Sequence, residues 1–214
     1  MIAIDIQRAF TYAFEDKRWP VKLGLLLLIG LIPGLNVIAW LGYQVSIGHR
    51  LARSLRNPLP EWDEWADIFI RGLITLMAGF LYFVPVLIVG IAISGVGLIF
   101  GRGGGSLLLL AVRCVGGVGI LAYSLLALLL LSIGAARYAR TDQYAPYFAI
   151  GDRLRDLSGG LRIFGVGFVY EALLIVAMLV LLPFSLLTII GPFVILSAFS
   201  VVNGYLLGST ARNL

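Results

Sequence analysis

The sequence predicts an all-α membrane protein, a bundle of about six transmembrane helices arranged as three hairpins, each preceded by an amphipathic interfacial helix. Hydrophobic residues make up 60% of the 214 residues and charged residues only 13%, whereas soluble domains are about 25% charged. The mean hydropathy is +1.01. Most charges lie in or beside three short segments, each leading into an apolar stretch: Ile2–Trp19, Leu59–Arg71 and Tyr144–Arg162. Runs such as Leu125–Leu131 are apolar on every face, which favours helices over the alternating strands of a barrel.

Four apolar stretches carry the predicted crossings: Val21–Ile47, Leu73–Phe100, Leu107–Ala136 and Ile163–Leu207. A crossing needs about 20 residues, so the chain forms one membrane domain over residues 1–214. The last stretch is too long for one crossing, and Gly191-Pro192 predicts a break between helices near Phe164–Ile190 and Phe193–Gly208. In the third stretch we expect the crossing to begin near Gly116, with Ser106–Val115 as an interfacial arm.

The first stretch allows two interpretations. Val21–Ile47 is either one long helix kinked at Pro33 or two short limbs that turn at residues 33–36. Basic residues flank the stretch on both sides: Lys17, Arg18 and Lys22 before it, and His49, Arg50, Arg53 and Arg56 after it. A single crossing would place one basic cluster outside, against the positive-inside bias. This favours the hairpin, although the limb Trp19–Ile32 is short and needs local thinning or protein cover.

Charge distribution also predicts the orientation. With six crossings and both termini in the cytoplasm, only Arg102 and Arg113 of the 16 Lys and Arg residues lie in the outer loop, beside a flexible turn at Gly101–Gly105. The remaining 16 − 2 = 14 face the cytoplasm, as the positive-inside rule requires. We therefore expect a multi-pass protein of the cell membrane with cytoplasmic N- and C-termini.

Weak internal similarity suggests three approximate repeats, over residues 1–57, 58–140 and 141–214. Pro33 precedes Arg53 by the same number of residues as Pro192 precedes Arg212, and each arginine follows an alanine. Gln44 and Asn203 occupy the same offset after the two prolines. Internal repeats of this kind are frequent in membrane folds.

Three stretches resemble a known family. They are Tyr12–Trp19 with Lys22 and the run to Asn36, the element Leu59-Pro-Glu-Trp-Asp-Glu-Trp65 leading to Gly72-Leu73, and Ala136-Arg-Tyr-Ala-Arg140. Together they resemble a prokaryotic integral membrane family, the domain of unknown function 4013, over nearly the whole chain. The resemblance implies a membrane fold. Because the family has no established activity, it implies no catalytic residue.

The most distinctive segment, Leu59–Arg71, predicts a helix that begins at Pro60, since proline is favourable at the first helical position. Its acidic residues suit the positive end of the helix dipole, and Asp67 and Arg71 are spaced for an ion pair. The predicted interfacial anchors are Trp62, Trp65 and Phe69, one face of this helix, together with Trp19. The alternative is a cation site formed by the carboxylates, but these point in different directions around a helix.

Glu171 is the one acidic side chain inside the apolar run Ile163–Leu182. An intramembrane carboxylate is costly and often marks a functional site. The competing interpretation is a structural hydrogen-bonding residue, for which we expect partners among Tyr170, Gln44, Asn203 and Tyr205. Gln44 and Asn203 are the other intramembrane polar candidates.

No catalytic, cofactor-binding or metal site is predicted. His49 is the only histidine, expected at the surface among arginines, which excludes a multi-histidine haem or zinc site within one chain. The lone Cys114 is expected to serve packing. The sequence pI is about 9.6, but the basic residues cluster beside helix ends, where anionic lipid headgroups rather than nucleic acid are the nearest counterions.

These features favour a non-enzymatic scaffold or accessory subunit that packs against other membrane proteins or against itself. Glycine-rich helix faces permit such close packing, and the predicted ones contain Gly116, Gly117, Gly119, Gly165 and Gly167. The alternative is a small transporter or channel that uses the intramembrane carboxylate Glu171.

Overall fold

The structure is a computed structural model that describes residues 5–55, 57, 59–100, 107–186, 188 and 190–212, without the side chains of 96–100, 108, 109, 150, 152–164 and 184. These residues are mostly helical and contain no strand, which confirms the all-α prediction. The helices are α1 (Ile6–Thr11), α2 (Trp19–Gly30), α3 (Leu35–Ala52), α4 (Trp65–Phe100), α5 (Leu107–Thr141), α6 (Ile150–Ser185) and α7 (Gly191–Arg212). The predicted outer turn Gly101–Gly105 and Arg56 lie outside the described residues.

Four helical segments are long and apolar enough to cross a membrane: Trp62–Gly95, Leu110–Thr141, Gly165–Pro183 and Gly191–Arg212. They belong to α4, α5, α6 and α7, and they confirm the membrane character of the chain. Helix α2 is apolar but shorter. At 1.5 Å per residue, its 12 residues extend over about 18 Å.

The two predicted breaks in the apolar stretches are confirmed. Helix α2 ends at Gly30 and α3 begins at Leu35, so the first stretch is two helices rather than one. The turn depends on Gly34, whose φ of +86° is a conformation that favours glycine. The second break separates α6, which ends at Ser185, from α7, which begins at Gly191.

The predicted interfacial helices are wrong as separate elements in the second and third segments. Helix α4 does not begin at Pro60, because Glu61 has an extended backbone (φ −85°, ψ 142°); a 3₁₀ turn over Trp62–Glu64 follows, and α4 then continues through the apolar stretch. Likewise α6 continues from Ile150 through its apolar stretch. Helix α5 is continuous from Leu107 to Thr141, so residues 107–115 belong to the same helix as the predicted crossing. The first segment does contain a short helix of its own, α1.

Helices α3, α5 and α7 all contact one another. Helices α2, α4 and α6 lie around these three, and each of them contacts a different pair. Helix α2 packs against α3 and α7, α4 against α3 and α5, and α6 against α5 and α7. The most extensive contact joins α3 to α7.

Glycines bring α3 into backbone contact with its neighbours. A Cβ on Gly42 would lie 1.9 Å from the carbonyl oxygen of Ile68 in α4, and a Cβ on Gly72 would lie 1.9 Å from that of Ile38 in α3. This reciprocal contact leaves no room for a side chain at either of these two positions. On the side facing α7, a Cβ on Gly204 would lie 2.8 Å from the carbonyl oxygen of Gln44.

Of the five glycines predicted to permit close packing against other proteins, two pack within the chain and three have open space around them. A Cβ on Gly116 or Gly167 would meet a neighbouring helix, at Ile93 and Thr210 respectively. Gly117, Gly119 and Gly165 have open space where a Cβ would stand. Cys114 is exposed, so its predicted packing role is wrong. Helical periodicity cannot show which face of a uniformly apolar helix turns inward.

Candidate functional site

Glu171 lies within the membrane segment of α6, and its side chain is partly buried. The hydroxyl group of Ser132 in α5 donates a hydrogen bond to the Glu171 carboxylate. A cavity of about 10 Å³ adjoins the pair, and Gly167 of α6 and Thr210 of α7 contribute to its lining. A cavity of this size holds about one water molecule. The site therefore combines a carboxylate, two hydroxyl groups and a space the size of a water.

The predicted partners of Glu171 are wrong, because its hydrogen bond goes to Ser132 on α5. Gln44 and Asn203 lie on α3 and α7, and neither lines the cavity. Asn203 is notable for another reason, since its Oδ1 atom is buried and has no hydrogen-bond partner within the described residues. The structure thus does not combine the three intramembrane polar candidates into one site.

A second polar site surrounds Lys22 near the beginning of α2. The Lys22 ammonium group donates hydrogen bonds to Asp16 Oδ2 (2.6 Å), Glu61 Oε1 (2.7 Å) and the carbonyl oxygen of Leu59 (3.1 Å). The Lys22 side chain is only 2% exposed and that of Asp16 only 7%. This Lys22 cluster joins the first charged segment to the second across 39 positions of sequence.

The charge on Asp16 is stabilised by its surroundings. Burial opposes ionisation of this carboxyl group, but the hydrogen bonds from Lys22 and from the backbone N–H of Arg18 outweigh burial and lower the pKa of Asp16. The N–H of Arg18 lies 2.8 Å from Asp16 Oδ1. The Lys22 cluster therefore holds a charged carboxylate beside a charged amine.

The predicted aromatic anchors divide between two environments. The Trp62 indole N–H donates to the carbonyl oxygen of Lys22 (2.9 Å), and its ring stacks on Tyr43 with centroids 5.6 Å apart. Trp65 is 62% exposed and meets Phe69 edge to face. Trp62 lies in the 3₁₀ turn and packs against the protein core together with Phe69, whereas Trp65, the first residue of α4, faces outward. Trp19 is partly buried and contacts Phe14.

His49 is buried rather than at the surface, which corrects the sequence interpretation. Its Nδ1 atom lies 2.7 Å from the carbonyl oxygen of Ala139, so this nitrogen donates the hydrogen bond.

Nearby, Arg71 pairs with Asp142 at 3.1 Å instead of with the predicted Asp67. The contact joins α4 to the residue after α5, a connection that spacing within one helix could not indicate.

Two of the carboxylates considered for a cation site, Glu61 and Glu64, pair with basic side chains. Glu61 pairs with Lys22 and with Arg18, and Glu64 pairs with Arg50 at 2.8 Å. Across the described part of the chain, no group of three or more His, Cys, Asp or Glu side chains could hold a metal ion. Glu61 therefore connects this segment to residues near the beginning of α2, and Glu64 connects it to α3.

The sequence analysis did not anticipate the hydrogen bonds made by Ser132 and Asp16. It also did not anticipate that Lys22 and His49 are buried. Lys22 did carry a signal, since it stands two residues inside an apolar stretch and a lysine at such a position needs a partner. Its partner Glu61 lies far away in sequence. Only the packing of α2 beside the second charged segment brings the two together.

Comparison with known proteins identifies one family. A family model described as "Protein of unknown function (DUF4013)" matches residues 25–157, which is more than half of the chain. The match includes the second half of α2, all of α3 to α5 and the tryptophan-containing segment before α4, whereas Lys22 and Glu171 lie outside it. No curated protein and no solved structure matches the chain.

Proposed function

This chain belongs to the family of proteins of unknown function DUF4013, and from that premise we propose that it is a non-enzymatic integral membrane scaffold or accessory subunit. The observation that carries the proposal is a closely packed centre combined with open apolar grooves on the outside. Backbone contact at Gly42 and Gly72 makes the centre rigid. A rigid centre keeps outward-facing grooves in constant geometry, which favours specific packing.

One groove lies between α4 and α5. Its volume is about 240 Å³, and it is lined by Pro85, Val86, Val89, Gly116, Gly119, Ile120 and Tyr123. The side chains are almost entirely apolar, and Gly119 has open space where a Cβ would stand. In a membrane, small residues at such a place let another helix approach closely. We expect this groove to receive a transmembrane helix of a partner protein or of a second copy.

A second groove lies between α1 and the membrane helices α6 and α7. Its volume is about 260 Å³, and its lining includes Phe10, Leu173 and Val202. Large apolar side chains are also exposed on the remaining outer surface, for example Ile91 (71%) and Val118 (68%). Exposed surface of this kind faces lipid or protein, and the bilayer itself is the first partner of the chain.

The finer topology is part of the same proposal. We propose six crossings, arranged as three hairpins, in the cell membrane of a prokaryote with both termini in the cytoplasm. The break between α2 and α3 and the contact between them support the first hairpin. Because α2 is short, its crossing needs cover from α3 and α7 and local thinning of the bilayer. Exposed basic residues beside the helix ends, such as Lys17, Arg53 and Arg140, suit anionic lipid headgroups.

The scaffold proposal is tested by purification from native membranes with a variant that blocks the groove. We expect partners, or a second copy, to co-purify with the wild type and to be lost when Val89→Trp fills the groove between α4 and α5. The matched control is Ile91→Trp, which places the same side chain on the same helix outside the groove. Partners retained by Val89→Trp, or a wild-type protein that always purifies alone and monomeric, contradict the proposal.

The alternative is a small transporter or channel, and one observation favours it. Glu171 lies inside the membrane beside a cavity and a hydroxyl donor, as proton and ion pathways require. The test is proton or ion flux in proteoliposomes, comparing the wild type with Glu171→Gln across a range of pH. A flux that Glu171→Gln abolishes, with normal folding and insertion, would replace the scaffold proposal with transport.

A further inference from the structure

Three helices meet at the cavity beside Glu171, and each contributes one polar side chain to it. These are Ser132 from α5, Glu171 from α6 and Thr210 from α7. The rest of the lining is apolar or glycine, so none of the three helices presents a second titratable or charged side chain there. Ser132 donates to one carboxylate oxygen of Glu171. The Thr210 hydroxyl donates to the carbonyl oxygen of Leu206 within α7 (3.0 Å), which leaves its own oxygen able to accept.

The size and composition of the cavity favour a proton over a metal ion. Hard cations take six or more oxygen ligands, whereas the lining offers side-chain oxygens from three residues. A volume of about 10 Å³ admits about one water molecule and not a hydrated cation. An unpaired carboxylate inside a membrane is costly. Binding a proton removes that charge and turns the group into a hydrogen-bond donor.

We propose that Glu171, Ser132 and Thr210 form an intramembrane proton-binding site, in which Glu171 holds an exchangeable proton and a water in the cavity links it to Thr210. Ser132 donates to one oxygen of the carboxyl group, and the protonated oxygen donates to the water. Gly167 keeps the cavity open, since a Cβ there would lie 2.8 Å from Thr210 Oγ1. The inference goes beyond the scaffold proposal, because proton binding requires neither a partner nor transport.

Infrared difference spectroscopy of the full-length protein in lipid nanodiscs tests the site directly. The wild type should show the carbonyl stretch of a protonated carboxyl group, which loses intensity as the pH rises and shifts in D₂O. Replacing Na⁺ with choline should leave the band unchanged. The band should be lost in Glu171→Gln and retained in Asp67→Asn, where the changed carboxyl group is exposed. Should Glu171→Gln fail to fold, Ser132→Ala supplies the assignment, because losing a hydrogen bond shifts the band of Glu171 alone.

A pair of glycine variants tests the cavity. Gly167→Ala puts a methyl group into it, and we expect hydrogen–deuterium exchange of the Glu171 band to slow several-fold. Gly165→Ala, on the same helix with open space around it, should exchange at the wild-type rate. Four results overturn the proposal: no protonated band at any pH, a band removed by Na⁺, a band that neither titrates nor exchanges, or a band that Ser132→Ala leaves in place.

Discussion

At the scale of single residues, Lys22 is a buried charged side chain with three hydrogen-bond partners. Removing one partner from a buried ion pair leaves the other charge uncompensated and costs about 3 kcal/mol or more. We therefore expect Lys22→Met to lower the free energy of unfolding by about that amount, because Asp16 remains buried. The measurement is unfolding in mixed detergent micelles. Lys17→Met, at an exposed neighbouring position, is the control, and equal stability of the two variants would contradict the prediction.

Asp16 also sets a pH dependence whose direction follows from its lowered pKa. The pKa of the Asp16 carboxyl group is lower than its ordinary value, because the hydrogen bonds from Lys22 and Arg18 outweigh the effect of burial. A group with a lower pKa in the folded state stabilises the fold above its unfolded pKa, about 3.9 for Asp. That contribution to stability is lost as the pH falls through the pKa of Asp16 in the folded state. We expect wild-type stability to decrease below about pH 4.

The matched variant for this pH dependence is Asp16→Asn, which should be less stable than the wild type at neutral pH and should lose less stability in acid. Asp63→Asn changes an exposed carboxyl group and should keep the wild-type profile. The measurement is the free energy of unfolding from pH 3 to pH 7. If Asp16→Asn and the wild type lose stability in parallel over this range, the lowered pKa of Asp16 does not contribute to stability.

At the scale of helices, the contact between α3 and α4 depends on the absence of side chains at two positions. Gly72→Ala would place a methyl group 1.9 Å from the Ile38 carbonyl oxygen, so the two helices must separate. Overpacking typically costs about 1–3 kcal/mol, and because the clash is with backbone we expect a loss of stability in detergent near the upper end of that range. Gly90→Ala, on the same helix with open space around it, should be neutral or stabilising by up to about 1 kcal/mol. A Gly72→Ala protein as stable as Gly90→Ala would contradict the observed helix contact.

The sequence predicted helix breaks well and contacts between helices poorly, for a physical reason. The breaks at residues 31–34 and before Gly191 depend on local proline and glycine, whose backbone preferences act without the rest of the fold. The contacts depend on which side of an apolar helix turns inward, and in a membrane both sides are apolar. This is why the sequence did not single out Gly42, which packs against the backbone of a neighbouring helix. The Lys22–Glu61 pair was missed because its partners belong to different segments.

At the scale of the whole molecule, the three helices that all contact one another share a sequence feature near their C-terminal ends. The ends of α3, α5 and α7 carry the same dipeptide: Ala52-Arg53, Ala139-Arg140 and Ala211-Arg212. The three alanines pack in one hydrophobic cluster, and each following arginine is exposed. Positive side chains at helix C-termini are favourable against the helix dipole. The ends of these three helices therefore carry the same residues and meet at one end of the bundle, and the orientation that we propose from the positive-inside rule has that end in the cytoplasm.

This orientation predicts opposite labelling of two introduced cysteines in a Cys114→Ser background. Asn57→Cys lies between α3 and α4 at the arginine-bearing end, and we expect it to react with an impermeant thiol reagent only after the membrane is permeabilised. Gly103→Cys, outside the described residues, belongs to the predicted outer turn and should react on intact cells, because α4 and α5 lead away from the arginine-bearing end. The readout is mass tagging of the protein before and after permeabilisation. Labelling of position 57 but not 103 on intact cells would reverse the orientation and would place 14 of the 16 basic residues outside, against the bias that governs membrane insertion.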